Sequence, residues 1–105
     1  MNVKGSLPLL ILHTLSVGPN HGYLIAKQIK QQSQGVLDFK EGTLYPTLHT
    51  LEQQGLLEAY SAEEKGRTRR YYRLTDTGRA MLAREREAWT RYQDAVNLVL
   101  EGSVA

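Results

Sequence analysis

Two aromatic, alternating runs, LLEAY (56–60) and RRYYRLT (69–75), stand on either side of SAEEKGRT (61–68), which holds one glycine and no large apolar side chain. Period-two alternation of strand formers around such a stretch is the pattern of a β-hairpin with an exposed tip. The pattern constrains the whole chain, because every other long segment reads as helix. Leu7, Leu10, Ile11 and Leu15 recur at three and four, so 5–17 is predicted as a buried helix with Pro8 in its first turn, where a missing N–H costs little. VGPN breaks the chain. A second helix is expected over about 21–33, with Ile25, Ala26 and Ile29 inward and SQG ending it. Leu37 and Phe39 flank Asp38 in a short extended piece. A third helix is expected over 43–54, with Leu44, Leu48 and Leu51 as its apolar stripe and Gly55 as its stop. After the hairpin, Thr75 reads as the N-cap of a last helix running to about Leu100, with Asp76 in its first turn.

The predicted fold is therefore mainly α with a small β-hairpin. Three helices followed by a hairpin give a winged helix-turn-helix (residues 1–75), and 76–105 give a long C-terminal dimerisation helix, the two making one structural unit. A chain of 105 residues without cysteine must hold by its core alone. That excludes a disulfide scaffold, a thiolate zinc site and a thiol redox sensor, and it fits a reducing cytoplasm. No apolar run reaches the roughly 18 residues of a membrane helix, so no membrane partner is expected.

Net charge is only +2, but Lys65, Arg67, Arg69, Arg70 and Arg73 fall within nine residues that hold no acid. Such a stripe on a near-neutral domain suits a polyanion. In strand geometry Arg70, Tyr72 and Leu74 share one face and Arg69, Tyr71 and Arg73 the other. Tyr72 and Leu74 are predicted to pack inward, with Arg70 leaving the core near the hairpin base and Lys65, Arg67 and Arg69 nearer the tip. Two readings stand: cations that guard an edge strand, or cations that grip phosphates or a narrow minor groove. The third helix likewise offers an outer face of Thr43, Pro46, His49, Thr50 and Gln53, with no acid on it. It is either a solvated face or one able to read base edges in a major groove. Tyr23 and Tyr45 are each open to packing and to a hydroxyl–phosphate contact. Lys40, just before the third helix, is a candidate phosphate partner, and Gly22 allows a close approach of the second helix to another helix or to the DNA backbone.

The last helix repeats Leu82, Trp89 and Val96 every seven residues, with Glu85, Tyr92 and Val99 between them. This seam either folds back on the core or, as the helix is too long for that alone, meets its copy in a twofold pair. Enzymatic readings fail. His13, His21 and His49 lack metal-ligand spacing, His49-x-x-Glu52 has no third ligand, and Ser6, Ser16, Ser33, Ser61 and Ser103 sit in no nucleophile motif. No glycine-rich phosphate loop follows a strand, and neither a metal nor a cofactor is expected.

HGYLIAKQI (21–29), GTLYPTLHTLEQQGLL (42–57) and RRYYRLTDTGRAML (69–82) together resemble the PadR-type transcriptional regulators, in the short subgroup with a single C-terminal helix. The resemblance covers nearly the whole chain. It implies a homodimeric repressor of an inverted-repeat operator in double-stranded DNA, with the third helix in the major groove and the wing on the flanking backbone. Thr43, Tyr45 and Pro46 lie where family members open the recognition helix. Several short-subgroup relatives hold flat hydrophobic, often cationic compounds between paired tryptophans. Trp89, in REAWTRYQDAV, matches that position, with Tyr92 beside it and Glu85 and Asp94 as counter-charges; interface packing is the other reading of Trp89. The competing function is a winged-helix module whose wing binds an acidic protein.

Overall fold

The computed structural model describes residues 3–102; Ser103 and the last residues of the predicted C-terminal unit lie outside them. A 3-10 turn (Val3–Ser6) leads into α1 (Leu7–Val17), followed by β1 (Asn20–His21), α2 (Gly22–Gln32), α3 (Glu41–Gln53), β2 (Leu57–Glu64), β3 (Arg67–Leu74) and α4 (Asp76–Leu100). The winged helix-turn-helix order is as expected from the sequence.

One core joins the four α-helices and the two wing strands. α1 is apolar nearly all round and lies at the centre, with Leu7, Ile11, Leu12 and Leu15 buried. Ile25 and Ile29 of α2 close on it, as do Leu44, Leu48 and Leu51 of α3, Leu57, Tyr72 and Leu74 of the sheet, and Leu82 of α4. Removing one such leucine costs about 2–5 kcal/mol in comparable cores. Tyr72 and Leu74 face inward as the strand period predicted, with Tyr72 only 1% exposed.

Two element boundaries follow from local chemistry. Gly55 (φ +77°) ends α3: the Leu56 N–H returns to the Leu51 carbonyl at 3.0 Å and the Gly55 N–H to Glu52 at 3.0 Å, while Leu51 and Leu56 are both buried. Thr75 caps α4, its Oγ1 accepting from the Gly78 N–H at 3.0 Å and donating to the Gly55 carbonyl at 2.7 Å. The same hydroxyl therefore joins the end of α3 to the start of α4.

The structure departs from the sequence-based expectation in four places. The sheet has three strands, ordered β1-β3-β2, because Asn20 and His21 pair with Tyr72 and Tyr71 on the free edge of β3. Leu37 and Phe39 pack on the core but belong to no strand. The wing strands extend to Glu64 and Arg67, so the tip is only Lys65 and Gly66, both at positive φ (52° and 79°) as a two-residue primed turn requires. Finally, α3 starts at Glu41, which moves Pro46 from the first turn to the second. There its missing N–H leaves the Gly42 carbonyl without its partner in the helical ladder.

Candidate nucleic-acid interface

α3 presents Pro46, His49, Thr50 and Gln53 to solvent, with Thr43 half-buried at its start. This places the predicted polar residues on one outer face, because Leu44, Leu48 and Leu51 fix the inner one. The Thr50 hydroxyl is turned back onto its own helix, donating to the Pro46 carbonyl at 3.0 Å, and Thr47 does the same to Thr43 at 2.9 Å. Two acids border the face: exposed Glu41 in the first turn and half-buried Glu52 in the last.

Tyr45 is half-buried and packs against the core. Burial pushes its hydroxyl pKa up, with Glu41 acting in the same direction. Its ring lies over Gly22, where an added Cβ would stand 2.7 Å from Cε1. Gly22 thus lets α2 approach the ring of Tyr45. One residue on, Tyr23 stands 59% exposed.

Two open grooves meet at Tyr23. One runs between α2 and α3 and is lined by Tyr23, Lys27, Phe39, Lys40 and Tyr45 among others. The second runs between α2 and the wing, lined by His21, Tyr23, Leu24, Lys65, Arg67 and Arg69 together with Glu64. Lys40, Tyr45, Tyr23, Arg69, Arg67 and Lys65 therefore form one continuous strip from the start of α3 to the wing tip. Lys40 is tied to Asp38 at 2.9 Å, a hydrogen bond that holds the Asp38 carboxyl below the usual carboxylate range.

The basic run is not as uncompensated as its sequence reads. Antiparallel pairing lays the acids of β2 beside it. Arg73 sits opposite Glu58 and pairs with it at 3.5 Å, its guanidinium 5.1 Å from the Tyr60 ring. Arg69 lies 3.7 Å from Glu64. Arg70 does not leave the body as predicted: its Nη2 donates to both oxygens of Glu52, at 3.0 and 3.2 Å, across to α3. Strand period explains this, since Arg70 shares the inward face of Tyr72 and Leu74. Among the described residues, Lys65 and Arg67 have no carboxylate within ion-pair distance.

The spacing of His21 suits no metal, yet the residue organises the wing junction. It is buried, and its Nδ1 accepts the Leu24 N–H at 3.4 Å, capping α2. That bond puts the proton on Nε2, which faces Glu64 at 3.8 Å. Glu64 also accepts from the Tyr71 hydroxyl at 2.7 Å, and the Tyr71 ring meets His21 edge-on. Burial holds the His21 pKa below its ordinary 6.5, the Arg69 charge adds to this, and Glu64 opposes it. The sequence signal was present, a histidine directly before a helix beginning with glycine, but histidine is a rare cap.

The predicted seam on α4 divides. Leu82 closes the chain's own core, because α4 packs on α1 through its first turns, so Leu82 is not available to a partner as expected. Beyond it the helix leaves the buried core. Tyr92, Val96 (36% exposed), Leu98, Val99 (80%) and Leu100 are solvent-facing, and Glu85 is exposed. Trp89 is half-buried beside Tyr92, ring centres 6.2 Å apart.

Comparison with known proteins bears on this geometry. The family described as "Transcriptional regulator PadR-like family" matches residues 11–84. A transcriptional regulator of Mycobacterium tuberculosis is 39% identical over 85 residues, which cover 81% of this chain and 77% of that protein. The structure of a transcriptional regulator from Clostridium thermocellum superposes with a TM-score of 0.84 at 32% identity, covering 90% of each chain. Bacillus subtilis PadR, solved in complex with operator DNA, superposes with a TM-score of 0.67 at 27% identity, covering 73% of this chain and 44% of that one.

Proposed function

This chain belongs to the PadR-like family of transcriptional regulators, and on that premise we propose that it is a homodimeric repressor of an inverted-repeat operator. The outer face of α3 enters the major groove, where His49, Thr50 and Gln53 meet base edges, while Thr43, Tyr45 and Pro46 open the helix against the backbone. The wing grips flanking phosphates with Lys65, Arg67 and Arg69, and Lys40 and Tyr23 complete the line. One observation carries the reading: the two grooves join at Tyr23 into a strip from α3 to the wing tip. In support, Bacillus subtilis PadR, to which the fold is similar, was solved on operator DNA.

The twofold partner is a second copy docked along α4. Its 25 residues extend about 38 Å, and the molecule measures 63 × 29 × 22 Å. Tyr92, Val96, Val99 and Leu100 are exposed and stand outside the chain's own core. Pairing them is the direct way to remove that surface from water. At the centre of such a pair, Trp89 and Tyr92 form an aromatic platform for a small planar hydrophobic or cationic effector, with Glu85 as counter-charge. Binding there would alter the spacing of the two wings and release DNA in the cytoplasm.

A titration against salt tests the DNA reading. Affinity for a duplex palindrome should fall steeply, with a log–log slope of about −0.9 per neutralised phosphate, and scrambled duplex should bind more weakly. Salt dependence with no preference among sequences, and equal binding to an acidic protein, would support the competing interaction module instead.

A further inference from the structure

We propose that Glu52 and Arg70 are a positioning pair that sets the wing against the recognition helix, and that Arg70 acts on DNA through Glu52 rather than by holding a phosphate. The proposal rests on the DNA-binding reading above. Among the described residues, two polar side-chain links tie the wing strands to the helices. One is His21–Glu64, reaching the N-cap residue of α2 at 3.8 Å. The other is Arg70–Glu52 to α3, in which a single guanidinium nitrogen reaches both carboxylate oxygens at 3.0 and 3.2 Å. The pair joins residues 18 apart in sequence. The guanidinium also lies 5.8 Å over the ring of Tyr72, the best-buried side chain of β3. Its direction is therefore fixed from below by the ring and from the side by the carboxylate.

Position gives the pair its meaning. Glu52 precedes Gln53 and lies three residues after His49, so its carboxylate borders the face assigned to base contacts. Left unpaired, it would repel a phosphate backbone. Arg70 faces Ser61 across the ribbon, between the buried base and the tip at Lys65 and Gly66. A clamp there limits the swing of the tip cations relative to α3. Being largely exposed on the arginine side, the pair adds little to global stability. Its value lies in geometry, since a misplaced ribbon cannot meet the backbone while α3 sits in its groove.

The two roles for Arg70 give opposite signs in one experiment. If Arg70 held phosphate, Glu52→Gln would remove a competing negative charge and tighten binding. A positioning pair predicts that Glu52→Gln, which preserves shape, weakens binding to a selected palindromic duplex about fivefold or more, by the logic of a coupled pair. Arg70→Glu should lose more than that, and the swap Glu52→Arg/Arg70→Glu should recover most of the loss with the wild-type salt slope. Unchanged or tighter binding by Glu52→Gln overturns the proposal, as does a swap no better than Arg70→Glu alone. A second readout needs no DNA. Residual dipolar couplings of the amides of 61–69 should shrink relative to those of α3 in Glu52→Gln and return in the swap. Couplings that stay put would overturn the positioning role even if DNA binds. A wild-type chain with no sequence preference would overturn the DNA reading while leaving this second test valid.

Discussion

At the scale of single residues, close approach explains two glycines that differ in consequence. A Cβ at Gly78 would strike the Leu56 carbonyl and come within 2.7 Å of a Leu74 methyl, both fixed in the core. Gly78→Ala should therefore destabilise the fold by about 1–3 kcal/mol, seen as a lower thermal midpoint; an unchanged midpoint would mean α4 can shift freely on the sheet. A Cβ at Gly22 meets only the ring end of Tyr45, which can move. Gly22→Ala should leave the midpoint nearly unchanged and displace Tyr45, measurable as an altered tyrosine environment and weaker DNA binding. His21 supplies a pH dependence. Its folded pKa lies below the ordinary 6.5, so the unfolded chain takes up the proton first. The neutral form's contribution is thus complete above that value and is lost as pH falls through the folded pKa. Protonation would also place a hydrogen on Nδ1 against the Leu24 N–H. The midpoint should begin to drop as pH falls through 6.5 and go on dropping through the lower folded pKa, and less so in His21→Asn, which can still cap. The Glu64 carboxyl, lowered chiefly by the Tyr71 hydrogen bond, titrates below its ordinary 4.5, well under the onset of that drop. Equal slopes in the two proteins would remove His21 from this role.

At the scale of elements, periodicity made the helices and the wing legible, and non-local pairing hid the rest. Leu44, Leu48 and Leu51 announced the inner face of α3, Gly55 its end and Thr75 the start of α4, because each signal acts within four residues of itself. β1 was invisible: two residues carry no period, and only the free edge of β3 makes them a strand. The acids that pair with the wing were invisible for the same reason, since Glu58 and Glu52 meet Arg73 and Arg70 only once strands and helices have docked. Alternation did place Arg70 on the Tyr72 face, and that face points at α3. For α3 itself, replacing Gln53 or His49 should change which operator base pair is preferred, by about 1–3 kcal/mol where a good contact is lost. Base-by-base competition that leaves the preference unchanged would move those side chains off the groove.

At the scale of the whole molecule, the proposed pairing along α4 would set how many readers meet the DNA. Val96 touches none of the buried core, so Val96→Asp should leave the helical content intact while halving the mass found by sedimentation equilibrium. A dimer that survives the change would place its interface elsewhere. In the proposed pair, two α3 faces would fall on successive turns of one side of a duplex, with the wings flanking them. The most direct measurement is selection of bound sequences from a random DNA pool, followed by footprinting of the winner. An inverted repeat is expected, with half-sites about 34 Å, or roughly ten base pairs, between centres or a multiple of that. A single unrepeated site, or no enrichment at all, would contradict a twofold reader built from α3 and the wing.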